Sequence, residues 1–413
     1  MKKSLIALAA FAATSAFSQS TVTLSGVMDA GAVYNSATAV GASKLGIGGA
    51  NNSRLIFAGS EDLGGGLRAT FAAQLRFDIA SGTNERGSAG FNGVGAPSKD
   101  GNGANLFYNS GTALLPVFTN LSGVNYGRPL FQGETRIGLR GDFGAIRIGR
   151  GLTALQAPNG GAIDPWGVST VASSVYAPGY VSDYVQGGEG RTDGFFYDTP
   201  NFSGLSASLT FSPRKVPAGV AASTATIAGK PFYSVAVNYN NGPINAVVGY
   251  EQNRYGDSLM NLGGNYDLGS AKLFMGYGAV KGGDAANRVN VPFLASGAAA
   301  PGYAAGMSAT VLAGAQPLGL VGAGTKTNAF SVGATVPFGA AKVLAGFSTY
   351  KSNIVGAQRD SKLGLGVNYA LSKRTSVYSD LASFSRKNNN PGVNPASNND
   401  RVTQMDLGIL HTF

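Results

Sequence analysis

The chain reads Glu134-Thr-Arg-Ile-Gly-Leu-Arg140, then Gly141-Asp-Phe-Gly144, then Ala145-Ile-Arg-Ile-Gly-Arg150. In an extended segment successive side chains point to opposite faces. Ile137 and Leu139 therefore share one face while Arg136 and Arg140 share the other, and Ile146 and Ile148 oppose Arg147. The spacing predicts a hairpin with one apolar face and one guanidinium face. In a soluble protein the apolar face would be a core; in a membrane barrel it meets lipid and the arginines line water. Residues 151–191 then lack a regular period, and alternation resumes at Phe195-Phe-Tyr197.

The same unit recurs on both sides of this stretch. Thr21 to Tyr34 alternates, a looser loop is expected from Asn35 to Asn52, and Ser53 to Ser60 sets Leu55 and Phe57 against Arg54. Glu61-Asp-Leu-Gly-Gly-Gly66 suits a tight reversal, because glycine adopts positive φ without steric cost. Leu67 to Asp78 puts Leu67, Phe71, Leu75 and Phe77 on one side and Arg68, Gln74, Arg76 and Asp78 on the other. From Phe195 on, short turns join the segments 195–197 and 205–211, 233–239 and 244–250, 260–267 and 272–279, 330–336 and 343–350, and 363–369 and 375–384, before a last segment at 402–413. The count is sixteen strand candidates, with seven short turns alternating with eight longer connections. That alternation fits an all-β, 16-stranded antiparallel up-and-down transmembrane β-barrel with both termini on the short-turn side. A sandwich would call for Greek-key crossovers instead.

Composition agrees. The 413 residues are 44% apolar and 13% charged, with 62 Gly, 22 Phe and 17 Tyr. After residue 13 no run approaches the eighteen apolar residues of a helical span. Lys2-Lys3, the apolar run Leu5 to Ala13 and Ala16-Phe-Ser18 have the grammar of a secretory signal peptide over residues 1–18, leaving a barrel over 19–413. Without Lys2 and Lys3 the basic residues number 29 against 21 acidic. The basic residues form no run or basic helix, so no nucleic-acid partner is expected. The absence of cysteine removes disulfides and thiolate chemistry.

Several motifs carry a family likeness: Val22-Thr-Leu-Ser-Gly26 with Asp29-Ala-Gly31, Ser53-Arg54, Glu61-Asp-Leu-Gly-Gly-Gly-Leu67, Gly138-Leu-Arg-Gly141, Ile148-Gly-Arg150, Leu371-Ser-Lys-Arg-Thr375 and Gly408-Ile-Leu-His-Thr-Phe413. Together they resemble the general porins of beta-proteobacteria over nearly the whole mature chain. The resemblance implies a trimeric outer-membrane barrel whose third outer loop folds inward, with residues 151–191 in that loop's place. It implies a water-filled channel for passive diffusion of small hydrophilic solutes and ions. Its partners would be two further copies of the chain, outer-membrane lipid and lipopolysaccharide, and the outer-membrane assembly machinery, which reads a terminal aromatic such as Phe413. The chain departs from the family at Leu410 and Ala58, and in longer connections near Ser81 to Leu130 and Gly282 to Lys326.

For the pore, Arg54, Arg76, Arg136, Arg140 and Arg147 fall on the water-facing side of consecutive strands. They are expected to form a basic ladder that attracts anions, because a narrow low-dielectric wall strengthens the field of fixed charges. Asp164, Asp183 and Glu189 are the loop carboxylates expected to face them, with Asp193 a further candidate and Asp164 nearest the tip. Tyr176, Tyr180 and Tyr184 are expected to brace the loop. Mild anion preference follows; a channel selective for an organic anion or a sugar is the alternative. No cofactor or metal site is expected. A hydrolase would need a base, and the single histidine, His411, falls on the lipid-facing side. A soluble adhesin is disfavoured by the apolar outer stripes.

Overall fold

The computed structural model describes residues 20–36, 45–48, 53–77, 79, 82, 130–131, 133–167, 170–173, 191–213, 231–252, 258–282, 326–352, 359–387 and 401–413. The expected signal peptide lies outside them. Seventeen strand segments follow in chain order: β1 (Thr21–Asn35), β2 (Leu45–Gly48), β3 (Ser53–Gly64), β4 (Leu67–Phe77), β5 (Thr135–Gly141), β6 (Gly144–Leu152), β7 (Arg191–Asp198), β8 (Leu205–Ser212) and β9 (Phe232–Asn241). The remainder are β10 (Ile244–Gln252), β11 (Ser258–Asp267), β12 (Lys272–Lys281), β13 (Lys326–Phe338), β14 (Ala341–Ser352), β15 (Arg359–Ala370), β16 (Thr375–Lys387) and β17 (Arg401–Thr412). Among the described residues one helix, α1 (Gln156–Ile163), interrupts them between β6 and β7.

Each strand pairs antiparallel with its neighbours, and β1 pairs with β17, so the sheet closes. Closure removes every unpaired edge, which lipid could not satisfy. The seventeen segments fill sixteen barrel positions, because β2 and β3 both pair with β1 and together make its second neighbour. Residues 45–48, within the loop expected from Asn35 to Asn52, instead pair with β1 and continue the strand. Between the two pieces the register breaks: Gly31 faces Gly48, yet Val27 faces Arg54. The Ser53 hydroxyl bridges the gap, accepting from Asp29 N at 3.0 Å and donating to Asp29 O at 3.3 Å.

Alternation places apolar side chains outside. On β15, Leu363, Leu365 and Val367 are exposed to the lipid side, whereas Lys362 between them and the loop is buried. The β3–β4 hairpin turns through Gly64, Gly65 and Gly66 at φ 86°, 61° and 80°, a conformation that a Cβ would strain. At the closing seam Phe413 exchanges two backbone hydrogen bonds with Gly26, at 3.0 and 3.2 Å. Its ring covers that glycine so closely that a Cβ there would meet the ring at 2.5 Å. Inside the barrel, Tyr378 of β16 crosses above Gly408 of β17 to donate to Asp29 of β1 at 2.6 Å.

Candidate functional site

The interior has two unlike walls. One is covered by the segment after β6. Thr153 starts it, its carbonyl accepting from Gln156 N and Ala157 N at 3.1 Å each and opening α1. Pro158 is tolerated in the first turn, where no backbone donor is needed. Gly160 and Gly161 weaken the helix intrinsically, so packing on the barrel wall holds it. Leu155 packs with Leu259 and Val280, and Ala162 and Ile163 pack with Ala236 and Val247. Trp166, Val171 and Ala172 continue onto Val33, Leu344 and Ala382. Burying a side chain the size of Leu155 or Ile163 contributes about 1.5–3 kcal/mol.

The wall is shaped to receive this loop. A Cβ at Gly249 would meet Leu155 at 2.5 Å, one at Gly263 would meet Ile163 at 2.6 Å, and one at Gly346 would meet the Trp166 ring at 2.7 Å. Polar anchors follow the same path around the barrel. Ala154 N donates to Thr210 at 2.9 Å, Leu155 N to Ser234 at 3.0 Å, and Thr153 Oγ1 to Glu251 at 2.6 Å. Asn265 Nδ2 donates to Ala162 O at 2.9 Å. Trp166 Nε1 then donates to Asp380 Oδ1 at 2.6 Å and Val171 N to Asp406 Oδ2 at 3.1 Å. Lys362 Nζ closes the series on Ser173 O at 2.8 Å. The loop is thus fastened from β8 to β17.

The other wall, β3 to β6, is basic. Arg54 and Arg76 are Cα partners, as are Arg68 and Arg140. Arg136 lies over the Phe196 ring at 5.1 Å and pairs with Glu134 at 2.8 Å. Arg147 pairs with Asp198. The charges around Arg147 are Arg136, Asp198, Glu134 and Arg140. The expected arginines therefore do converge on one face. Arg140, near the inner turn, is exposed, and Arg76 is buried. Sequence reasoning left out Arg68; its parity was visible, but its place beside Arg140 depends on a register across residues 78–134. Glu134 and Asp198 were also missed, since each lies at a strand end where alternation says little.

The carboxylate side differs from expectation. Asp164 follows α1, but it is 1% exposed and accepts from Ser173 Oγ at 2.7 Å. It braces the loop internally, because the turn after the helix brings its carboxylate onto Ser173 of the same loop. Asp183, Glu189, Tyr176, Tyr180 and Tyr184 lie outside the described residues. Asp193 is the Cα partner of Arg150 where β6 and β7 leave the barrel. Buried carboxylates that sequence reasoning passed over, Asp29, Asp380 and Asp406, stand on the wall beneath or beside the loop. His411 faces outward, 2.9 Å from Thr375 Oγ1. Among the described residues no group of three or more His, Cys, Asp or Glu could hold a metal ion.

Comparison with known proteins agrees with this architecture. A family model described as Gram-negative porin matches residues 4–389. Outer membrane porin protein 32 of Delftia acidovorans is 27% identical over 436 residues, covering 100% of both chains. Among solved structures, the anion-selective porin from Comamonas acidovorans superposes with a TM-score of 0.65 at 22% identity, covering 96% of this chain and 100% of that one. OmpT of Vibrio cholerae in its trimer form gives a TM-score of 0.54 at 12% identity, covering 95% and 99%. At those identities the structures speak for the fold alone. With the family match spanning most of the sequence and the barrel closed around a lined lumen, the chain belongs to the Gram-negative porins, channels of the outer membrane.

Proposed function

We propose that this porin is a passive diffusion channel with a mild preference for small hydrophilic anions, built as a homotrimer. The observation that carries the preference is the division of the lumen. The described part of the loop covers the wall from β8 to β17, and the wall from β3 to β6 carries Arg54, Arg68, Arg76, Arg136, Arg140 and Arg147. Arg136 has Glu134 as a carboxylate partner and Arg147 has Asp198. Arg68 and Arg140 have no ion-pair partner among the described residues. Fixed positive charge on a low-dielectric wall raises the local anion concentration. The anion-selective solved relative supports the same reading, and the trimer form of another supports the oligomer.

Planar-bilayer recordings test it. In a salt gradient the reversal potential of the wild type lies on the anion side. Arg54→Ala with Arg136→Ala moves it toward zero, and adding Arg68→Ala and Arg140→Ala moves it further. A reversal potential unmoved by all four substitutions overturns the assignment. Chemical cross-linking of the detergent-extracted protein reads the oligomer, with a three-copy species as the outcome expected.

A further inference from the structure

Asp380 of β16 and Asp406 of β17 stand directly opposite each other as Cα partners. Residues paired in this way on antiparallel strands hold their Cβ atoms about 4.5–5.5 Å apart on one face. Both carboxyl groups therefore meet the lumen at one place, and both are buried, at 3% and 2% exposure. The inward loop lies over them. Trp166 Nε1 donates to Asp380 Oδ1 and Val171 N to Asp406 Oδ2, which uses one oxygen of each side chain.

The other two oxygens, Asp380 Oδ2 and Asp406 Oδ1, are buried and receive no hydrogen bond from any other donor among the described residues. The two carboxyl groups instead hydrogen-bond to each other. An ionised carboxylate only accepts, so this bond requires a proton on one member of the pair. Two ionised carboxylates in contact at a buried place would repel.

We propose that Asp380 and Asp406 form a proton-bridged clasp that positions the inward loop, closed while the pair shares one proton and loosened when that proton leaves. Closed, the pair binds one proton more than it does when separated and wetted, so closure weakens as pH rises. The strand ladder fixes the two backbones, and relief of the repulsion comes from turning a side chain. Turning Asp380 gives up Trp166, and turning Asp406 gives up Val171.

Among the described residues, the charged and titratable groups around the pair come from four strands and the loop. Asp164 of the loop acts on Asp380 electrostatically and is held by Ser173. Lys362 of β15 donates to the Ser173 carbonyl. Asp29 of β1 and Tyr378 of β16 bond to each other. Lys342 of β14 shares with Asp380 and Trp166 the lining of a recess of about 100 Å³. That recess is large enough for water, which gives the bridging proton a route of exchange. The clasp rests on the loop lining the barrel and not on the anion preference of the opposite wall.

Trp166 is the single tryptophan of the chain, so its emission reports the clasp directly. The test follows two signals of the purified protein from mildly acidic to alkaline pH: single-channel conductance in planar bilayers and tryptophan emission in detergent. In the wild type both hold steady and then change together along a one-proton curve. Conductance rises and becomes noisier, and emission moves to longer wavelength as the indole is wetted. In Asp406→Asn the amide oxygen accepts from Val171 and the amide N–H donates to Asp380, so the bridge carries no titrating proton and the transition is lost from both signals. Asp380→Asn loses it too, and serves if Asp406→Asn does not fold. If neither folds, the wild-type curves decide alone. The clasp is overturned by wild-type signals that stay constant across the range, by a conductance change without a shift in emission, or by a folded Asn variant that titrates like the wild type.

Discussion

Trp166 and Asp380, 214 positions apart in the chain, meet inside the barrel, the indole N–H donating to the carboxylate at 2.6 Å. The contact joins the inward loop to the next-to-last strand. Trp166→Ala removes both this hydrogen bond and the ring seated over Gly346, and truncating a buried aromatic costs about 3–5 kcal/mol. Single-channel conductance should rise and become noisier. Asp380→Asn keeps an acceptor for the indole and should stay near the wild type, whereas Asp380→Leu should resemble Trp166→Ala. Gly346→Leu, which forces a side chain into the Trp166 ring, should give the same open phenotype. Wild-type conductance in all of these would mean that the contact does not set the aperture.

Asp198 partly neutralises Arg147. Asp198→Asn should therefore increase anion preference, moving the reversal potential away from zero, and the shift should shrink as ionic strength rises and the Debye length shortens. Glu134→Gln should act in the same direction through Arg136. A shift toward cations would reverse the proposed polarity of the wall.

Tyr378 spans the closing seam to reach Asp29, which is fully buried. Tyr378→Phe leaves a buried carboxylate oxygen without that donor, a loss of about 1–3 kcal/mol. The temperature at which the folded form converts to the unfolded band on gels should drop, with conductance little changed. An unaltered transition temperature would show that the seam does not depend on this bond.

Phe413 and Gly26 form the other seam contact, and we expect Phe413 to act in assembly. Deleting Phe413 should sharply reduce the amount of folded protein in the outer membrane. Gly26→Val, which displaces the ring without removing it, should reduce it less. Normal yield on deletion would end the assembly role.

Much of the barrel was legible in the sequence because a period of two survives wherever one face meets lipid and the other meets water. Ile137, Leu139, Ile146 and Ile148 satisfied that rule, and so did the arginines between them. The rule failed where a third surface intervened. Val33, Leu344 and Ala382 point inward yet are apolar, since the loop and not water covers them. α1 escaped notice because its glycines and proline argue against a helix and only the wall holds it. Residues 45–48 were passed over because the register break at Ser53 separates them from the strand they extend. Asp164 sat where a loop tip was expected, but a turn of a few residues decides which way a carboxylate points, and no spacing encodes that.

The inward loop is synthesised in the first half of the chain, yet its last fastenings, Asp380 and Asp406, belong to the final two strands. A partly made barrel cannot hold the loop along its full track. The narrow passage can take its finished shape only once the carboxyl end has come round to meet the beginning, so filtering is the last property this molecule acquires as it matures.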